Sequence, residues 1–295
     1  MEALRARTVV QTLAAGLEEL AMIGTYFDDA LITTRNSGAL ISGRGGYAAV
    51  QRARSPWRLS PGRVAIRIAP TSAATLARSD MDRDTRLPGS LVALDPGGAV
   101  FHRVQYVSAS DRRVAEALEA GEPEMGTRDD AERGNVVHLA QVRSARACWE
   151  AMTSGDHMDA LLVDAGRSRR RIMPYLGANR AWRVSAAPLP SFLAYLVERR
   201  IGLTRVVLGC GLLQAATGPI GRVAHGDGQL IASSDSGIFA VSSDRIDCIW
   251  VVTTRDGWQL ELYDAEARAL AVLMPDPMAN RSQWNEMLCS LPRTP

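Results

Sequence analysis

The basic side chains of this sequence limit how the protein can bind anions. All 34 basic residues are arginine, and lysine is absent. Any anion site must therefore use planar guanidinium forks, which bind carboxylates in a bidentate manner. A biased genome composition would also explain the absence of lysine. The densest basic run is GRSRRR at 166–171. The plainer interpretation of this run is a solvated helix face or turn, since like charges in sequence usually form one.

The nucleophilic and metal-ligating residues form no known motif. The four cysteines are Cys148, Cys210, Cys248 and Cys289. Their scattered positions argue against a zinc ribbon, a redox pair or a disulfide framework. The sequence contains no His-Glu-x-x-His, Walker A loop or Gly-x-Ser-x-Gly, so the matching hydrolase and nucleotide chemistries are not indicated. His138 lies in an apolar run that favours a core position, and His225 lies in a turn sequence.

The overall composition is typical of an ordinary folded protein. The chain has 295 residues, 46% of them apolar, with a formal net charge of +2. This balance does not indicate a nucleic-acid binder. The N-terminus lacks the apolar core of a signal peptide, and no apolar run is long enough to span a membrane. We therefore expect a cytoplasmic protein that does not span the membrane and does not bind nucleic acid.

A polar stretch near the middle divides the chain into two parts of similar length. The segment GEPEMGTRDDAERG at 121–134 is the least apolar and can bury little surface. We therefore predict an N-terminal unit at 1–125, a linker at 126–142 and a C-terminal unit at 143–295.

The two parts resemble each other, which predicts an internal duplication. Gly38-Ala39-Leu40-Ile41 aligns with Gly211-Leu212-Leu213-Gln214, and the β-type run at 90–95 aligns with that at 259–264. Both runs end at an aspartate, and each is followed by a turn and a second β-type run. Each half then closes with a helical pattern that begins near Asp111 or Asn280, both suitable N-caps. Two unrelated halves with generic hairpin signals are the alternative.

The coarse pattern of elements predicts the α+β class. Apolar periodicity indicates helices at 12–22, 144–165 and 189–200. Strand candidates lie at 29–34, 64–68, 204–208, 237–241 and 247–253. Strands and helices do not alternate, so a parallel α/β sheet is not expected. The prediction is a tandem duplication of a unit with a large antiparallel sheet flanked by helices.

Five ordered segments resemble the bacterial haem-utilisation family of hemin-degrading factors, also described as cytoplasmic haem-trafficking proteins. The segments are Thr34-Arg35-Asn36 with Gly45-Gly46-Tyr47, 90–104, 212–220, 244–264, and Ser282-Gln283-Trp284. The resemblance covers nearly the whole chain and implies a divergent member built from two similar tandem units. It also implies that haem is the ligand, as bound cargo or as substrate, held between the halves.

The resemblance places an axial haem ligand early in the second half, just after a helix that carries a tryptophan. Here that neighbourhood contains Trp149 and His157, so His157 is the predicted ligand of the haem iron. An ungapped match puts Asp156 on the ligand position, and His157 reaches it only if the register shifts by one residue. The alternative for His157 is a surface histidine near a helix end.

The resemblance also suggests groups that would meet the rest of the haem. The propionates need cations, and Arg169 matches a family arginine within the run that also contains Arg167, Arg170 and Arg171. Gln214, in the third segment, is a further predicted haem-binding residue. Arg86 is the nearest substitute for the family's distal arginine.

Several expected polar groups are missing, and two of these positions are occupied by Ala216 and Ala240. We favour haem binding and transfer over catalysis, because neither Arg86 nor His102 is well placed as a distal donor. Haem degradation is left open as a further activity. The partners would be a haem importer or a haem oxygenase. The competing interpretation is an interaction module that kept the scaffold and lost haem.

Overall fold

The computed structural model describes residues 10–48, 51–52, 63–69, 74–79, 88–121, 146–149, 151–235 and 237–294. The predicted linker at 126–142 and Arg86 lie outside these residues. The helices are α1 (Leu17–Gly24), α2 (Ala109–Glu116), α3 (Ser154–Asp164), α4 (Arg167–Leu176), α5 (Leu189–Glu198) and α6 (Arg281–Cys289).

The strands of the first half are β1 (Val10–Thr12), β2 (Leu31–Arg35), β3 (Ala39–Arg44), β4 (Gln51–Arg52), β5 (Ala65–Ile68), β6 (Thr75–Ser79), β7 (Ser90–Leu94) and β8 (Val100–Gln105). Those of the second half are β9 (Ala181–Val184), β10 (Leu203–Leu208), β11 (Leu212–Ala216), β12 (Arg222–Gly226), β13 (Gln229–Ser234), β14 (Gly237–Ser242), β15 (Cys248–Thr254), β16 (Gly257–Tyr263) and β17 (Ala269–Pro275).

The strands form two large sheets whose orders mirror each other. The first sheet runs β1-β6-β7-β8-β2-β3-β14-β13-β12, and the second runs β4-β5-β11-β10-β17-β16-β15-β9. The neighbours in both sheets are antiparallel except for the short parallel pair β4 and β5. Counted from one edge, six strands of the first half match six strands of the second in the same order. The predicted duplication and the α+β class are therefore confirmed.

The halves exchange their remaining strands. Strand β14 of the second half pairs with β3 of the first, and β5 of the first half pairs with β11 of the second. Each sheet is thus completed by strands from the other half. Buried backbone groups at both junctions are satisfied by this exchange, so the two halves share one hydrogen-bonded framework.

Burial of side chains divides the second sheet into two faces. The inner face packs apolar residues such as Leu203 and Val207 against the first sheet and helices α5 and α6. The outer face carries Val206 and Leu208, which pack against Met158 and Leu161 of α3 and Met173 of α4. We call this second cluster the outer core. It surrounds His157, the predicted ligand of the haem iron.

Two predicted helices differ from the structure. The helix expected at 12–22 begins only at Leu17, because Val10–Thr12 forms an edge strand paired with β6. The helix expected at 144–165 is divided, because Thr153 adopts extended backbone angles and starts α3 as its N-cap. The helix expected at 189–200 and the five strand candidates are confirmed within a few residues.

Candidate functional site

The imidazole of His157 lies in the outer core with no exposed surface. Neither of its ring nitrogens has a hydrogen-bond partner among the residues that the structure describes. Burial, with a smaller contribution from the nearby charge of Arg169, lowers the pKa of His157 to about 2. The ring is therefore a neutral imidazole with an available lone pair, which is the form that binds metals.

The start of helix α3 explains why His157, and not Asp156, points into the core. Thr153 and Asp156 form a capping box: the Thr153 hydroxyl accepts from the Asp156 amide, and the Asp156 carboxylate accepts from the Thr153 amide at 2.8 Å. The Thr153 hydroxyl also donates to the Asp156 carboxylate at 2.7 Å. This bond and the one from the Thr153 amide hold the carboxylate at the helix end and lower the pKa of Asp156. The next residue, His157, faces inward at the following position of the helical turn.

Trp149 lies beside His157 and joins it to a buried arginine. The two rings meet edge to face with centroids 4.9 Å apart. The guanidinium of Arg169 stacks over the indole at 4.3 Å from the ring centroid. The indole Nε1 donates to the Thr253 carbonyl at 3.0 Å. Trp149 is thus fixed from two sides while it covers the imidazole.

Arg169 is part of a buried ion pair rather than a solvated run. Its Nε and Nη2 donate to both carboxylate oxygens of Glu261 at 2.6 to 3.0 Å. Glu261 also accepts from the Gln259 amide and the Tyr263 hydroxyl, each at 2.6 Å. Burial opposes the charge on Arg169, but the attraction of Glu261 outweighs it and raises the arginine pKa. Of the Arg169 donors, Nη1 alone has no partner in the part of the chain that the structure describes.

A second buried arginine attaches helix α3 to the other half of the chain. Arg67 on β5 donates through Nε and Nη2 to the two carboxylate oxygens of Asp159, at 2.6 and 2.8 Å. Asp159 lies one residue beyond Met158 on α3. The helix that carries His157 is therefore held by a strand of the first half.

The other predicted haem-binding residues lie elsewhere or outside the described chain. Gln214 is on the inner face of the second sheet, where it accepts from the Thr34 hydroxyl at 2.7 Å and donates to the Ile32 carbonyl at 3.2 Å. His157 is on the opposite face, so the structure does not bring these two together. Arg86 lies outside the described residues. The assignments of Gln214 and Arg86 stay predictions.

His102 belongs to the same buried network as Gln214. Its Nδ1 is 2.7 Å from the Thr34 hydroxyl, and its Nε2 is 2.6 Å from the Tyr47 hydroxyl. Burial lowers the pKa of His102 to about 3. Both ring nitrogens are engaged in a closed chain of hydrogen bonds, which gives His102 a structural part in the core.

The arginine run forms the first turns of α4 and divides between core and solvent. Arg167 and Arg171 are exposed, and Arg169 is buried. Arg170 is half-buried and bonds to the Asp247 carboxylate at 2.5 Å and to the Cys248 sulfur at 3.2 Å. Arg167 and Arg171 are four residues apart, so they share one outward face of the helix.

Glu261, Tyr263 and Arg67 were not anticipated as parts of this site. The stretch 259–263 does carry a signal, because polar residues alternate with leucines along a buried strand. That alternation indicates that one face of β16 buries polar side chains. The partner of Glu261 is 92 residues away along the chain, so spacing alone could not identify it.

Among the described residues, no cluster of three or more histidine, cysteine or acidic side chains could hold a metal ion. In that same part of the chain, no helix is long and apolar enough to cross a membrane. The four cysteines are free.

This fold is similar to that of two solved bacterial proteins. Apo-PhuS, a haem-binding protein from Pseudomonas aeruginosa, superposes with a TM-score of 0.77 at 18% identity, over 97% of this chain and 87% of that chain. ChuS, a haem oxygenase from E. coli, superposes with a TM-score of 0.76 at 17% identity, over 96% and 88%. No family model and no curated protein sequence matches the chain. The fold expected from the sequence resemblance is thereby confirmed.

Proposed function

We propose that this protein binds haem and transfers it, with His157 as an axial ligand of the iron. The observation that carries the proposal is the buried imidazole, whose two nitrogens have no hydrogen-bond partner among the described residues. A buried polar group without a partner costs about 1–3 kcal/mol, and such groups in a native fold call for a specific explanation. A bond from a ring nitrogen to haem iron would remove this cost, because imidazole is a common axial ligand. The shared fold with haem-binding PhuS and with the haem oxygenase ChuS supports the choice of ligand.

The full burial of His157 means that haem can reach the ring only after a covering side chain moves. Trp149 is the aromatic side chain in contact with the imidazole. Its neighbour Cys148 is exposed, so this short helical turn lies near the surface. We propose that displacement of Trp149 opens the path from solvent to the imidazole.

The haem propionates require cations near this opening. The exposed Arg167 and Arg171 lie on the outward face of α4, and no ion pair with an acidic side chain is found for either within the described chain. We propose them as propionate partners, because guanidinium groups bind carboxylates well. Arg169 would contribute its single unpartnered donor, Nη1, while its other donors stay with Glu261.

We propose a carrier in preference to an oxygenase, with a haem importer or a haem oxygenase as the partner. Haem degradation requires a distal group that assists iron-bound oxygen. His102 has both ring nitrogens engaged on the other side of the second sheet. It is therefore not available for that task.

A hemin titration followed by absorbance tests the proposal. The wild type is expected to show a Soret band that saturates at one haem per chain, and His157→Ala is expected to bind about tenfold more weakly or worse, with a shifted band. Loss of an outer partner of a metal ligand already costs 10–100-fold in affinity, so loss of the ligand costs at least as much. The control is His225→Ala on the exposed strand β12.

The other outcomes of the titration test haem binding and the role of His157 separately. Saturable binding that is unchanged in His157→Ala would keep haem as the ligand and reject His157. No saturable binding by the wild type would reject haem binding and favour the interaction module. Biliverdin-like product in the presence of a reductant would replace the carrier role by that of an oxygenase.

A further inference from the structure

The described core contains three buried arginines, and two of them are neutralised in the same way. Arg67 and Arg169 each direct Nε and Nη2, the side-on edge of the guanidinium, at both oxygens of one carboxylate. This geometry is the bidentate fork that guanidinium and carboxylate groups form in general. It therefore shows how this fold accommodates a buried cation.

Arg205 on β10 is the third buried arginine, and the same edge of its guanidinium meets no hydrogen-bond acceptor among the described residues. Its exposed fraction is 1%. Within the described part of the chain, neither Nε nor Nη2 has a hydrogen-bond partner. The one hydrogen bond of the guanidinium to the described residues runs from Nη1 to the Ser234 hydroxyl at a long 3.4 Å. Arg205 thus has the same donor edge as Arg67 and Arg169 but lacks the carboxylate.

Among the residues that the structure describes, no acidic side chain takes that place. Asp276 is the acidic group whose charge Arg205 senses. Its oxygens instead accept from the Thr217 hydroxyl at 3.1 Å and from the Met278 amide at 2.8 Å. Burial lowers the pKa of Arg205 to about 10 and outweighs the attraction of Asp276. A close anion is what the buried charge lacks.

The internal repeat shows that core packing does not require a cation at the position of Arg205. The alignment of Gly38 with Gly211 places Ile32 of β2 opposite Arg205 of β10 in the two halves. Ile32 is a fully buried part of the first-half core. The second half therefore carries a charged residue where its twin carries an apolar one.

We propose that Arg205 binds the carboxylate of a small organic acid through its Nε and Nη2 donors. The site lies on the inner face of the second sheet, because Leu203 and Val207, two residues away on either side, belong to the inner core. It is therefore separate from His157, which lies on the outer face. Ala216, with the shortest side chain that still has a Cβ, is the direct neighbour of Arg205 on β11.

The chemistry restricts the ligand to a small acid with an apolar remainder. Leu273 neighbours Arg205 on β17 and is fully buried. The unpartnered donors are closed to solvent, so the acid is enclosed by the fold. Uptake then requires a local opening of the chain, and exchange is expected to be slow on the timescale of diffusion.

Thermal unfolding of the full chain in formate or acetate tests the proposal against chloride at equal pH and ionic strength. A ligand that binds only the native state raises the midpoint as its concentration increases. The wild-type midpoint is expected to rise in formate or acetate beyond its value in chloride. Arg205→Met is expected to show no acid-specific rise, and without acid it should be at least as stable as the wild type.

The matched control is Arg67→Met, which removes a paired arginine. It is expected to lower the midpoint, because Asp159 loses its partner, and to keep the response to acid. Equal midpoints of the wild type in acid and in chloride would overturn the proposal, as would an undiminished response of Arg205→Met. If Arg205→Met does not fold, Arg205→Lys serves instead, because it keeps the charge and loses the fork.

Discussion

Replacement of Glu261 by glutamine is expected to lower the free energy of unfolding by about 3–5 kcal/mol, the usual cost of breaking a buried ion pair. Both partners are nearly solvent-free, with side-chain exposures of 2% for Arg169 and 0% for Glu261. Removal of the carboxylate charge leaves the guanidinium buried without compensation. The Tyr263 hydroxyl also loses an ionised acceptor. The double change Arg169→Met with Glu261→Met is expected to recover much of the loss, because no charge then remains buried.

Urea unfolding followed by tryptophan fluorescence measures this effect. The matched control is Asp29→Asn, which breaks the pair between Arg44 and Asp29 on the surface, where the side chains are 63% and 43% exposed. An exposed pair is worth about 0–1 kcal/mol, so this variant should stay close to the wild type. A Glu261→Gln variant as stable as Asp29→Asn would show that Arg169 is neutralised by something other than Glu261.

The sequence predicted the repeat because the duplicated features are local. The aligned runs at 90–95 and 259–264 occupy β7 and β16, and the aligned helical patterns occupy α2 and α6. Strand alternation and turn residues act over a few positions, and they survive when identity between the halves is low. Of the two expected N-caps, Asn280 does cap α6, whereas the N-cap of α2 is Ser108 and Asp111 is the third helical residue, in its capping box. The exchange of β5 and β14 between the sheets could not be predicted in this way. It depends on pairing between strands far apart in sequence.

The candidate site likewise has features that local sequence predicted and features that depend on contacts far apart in the chain. The resemblance predicted His157 as the iron ligand, and that assignment stays a prediction. The capping box at Thr153 explains why the inward-facing residue is one position beyond the ungapped match. The assignment of GRSRRR to a solvated face holds for Arg167 and Arg171 and fails for Arg169, which packs against Trp149. A stretch of like charges does not reveal which member faces the core. The buried acid that selects Arg169 comes from β16, much later in the chain.

Acid is expected to destabilise the haem-free protein between pH 6.5 and pH 5, and two buried histidines are the cause. His157 and His102 have folded-state pKa values of about 2 and about 3, against about 6.5 in an unfolded chain. The native state therefore binds fewer protons than the unfolded state throughout this range. Stability is fully present above pH 6.5 and is lost as the pH falls. Each histidine contributes about 1.4 kcal/mol per pH unit, which gives a combined loss of about 4 kcal/mol at pH 5.

The contributions of the histidines and of the carboxylates to acid destabilisation fall in different pH ranges. Asp111 and Asp156 have pKa values below their ordinary value of 3.8, so their contributions are lost only below about pH 4. The loss between pH 6.5 and pH 5 therefore belongs to the buried imidazoles. Urea unfolding at a series of pH values should give a slope for His157→Gln about half that of the wild type. His225→Gln, at an exposed position, should keep the full slope.

The low pKa of His157 also predicts how hemin affinity depends on pH. Because native His157 stays neutral down to about pH 2, protons do not compete with iron for the imidazole above that pH. Hemin affinity should therefore change little between pH 8 and pH 5. An ordinary histidine of pKa 6.5 would be mostly protonated at pH 5 and would lose about 30-fold in affinity. A loss of that size in a hemin titration at pH 5, with the protein still folded, would show that the ligand is a solvent-accessible histidine and not His157.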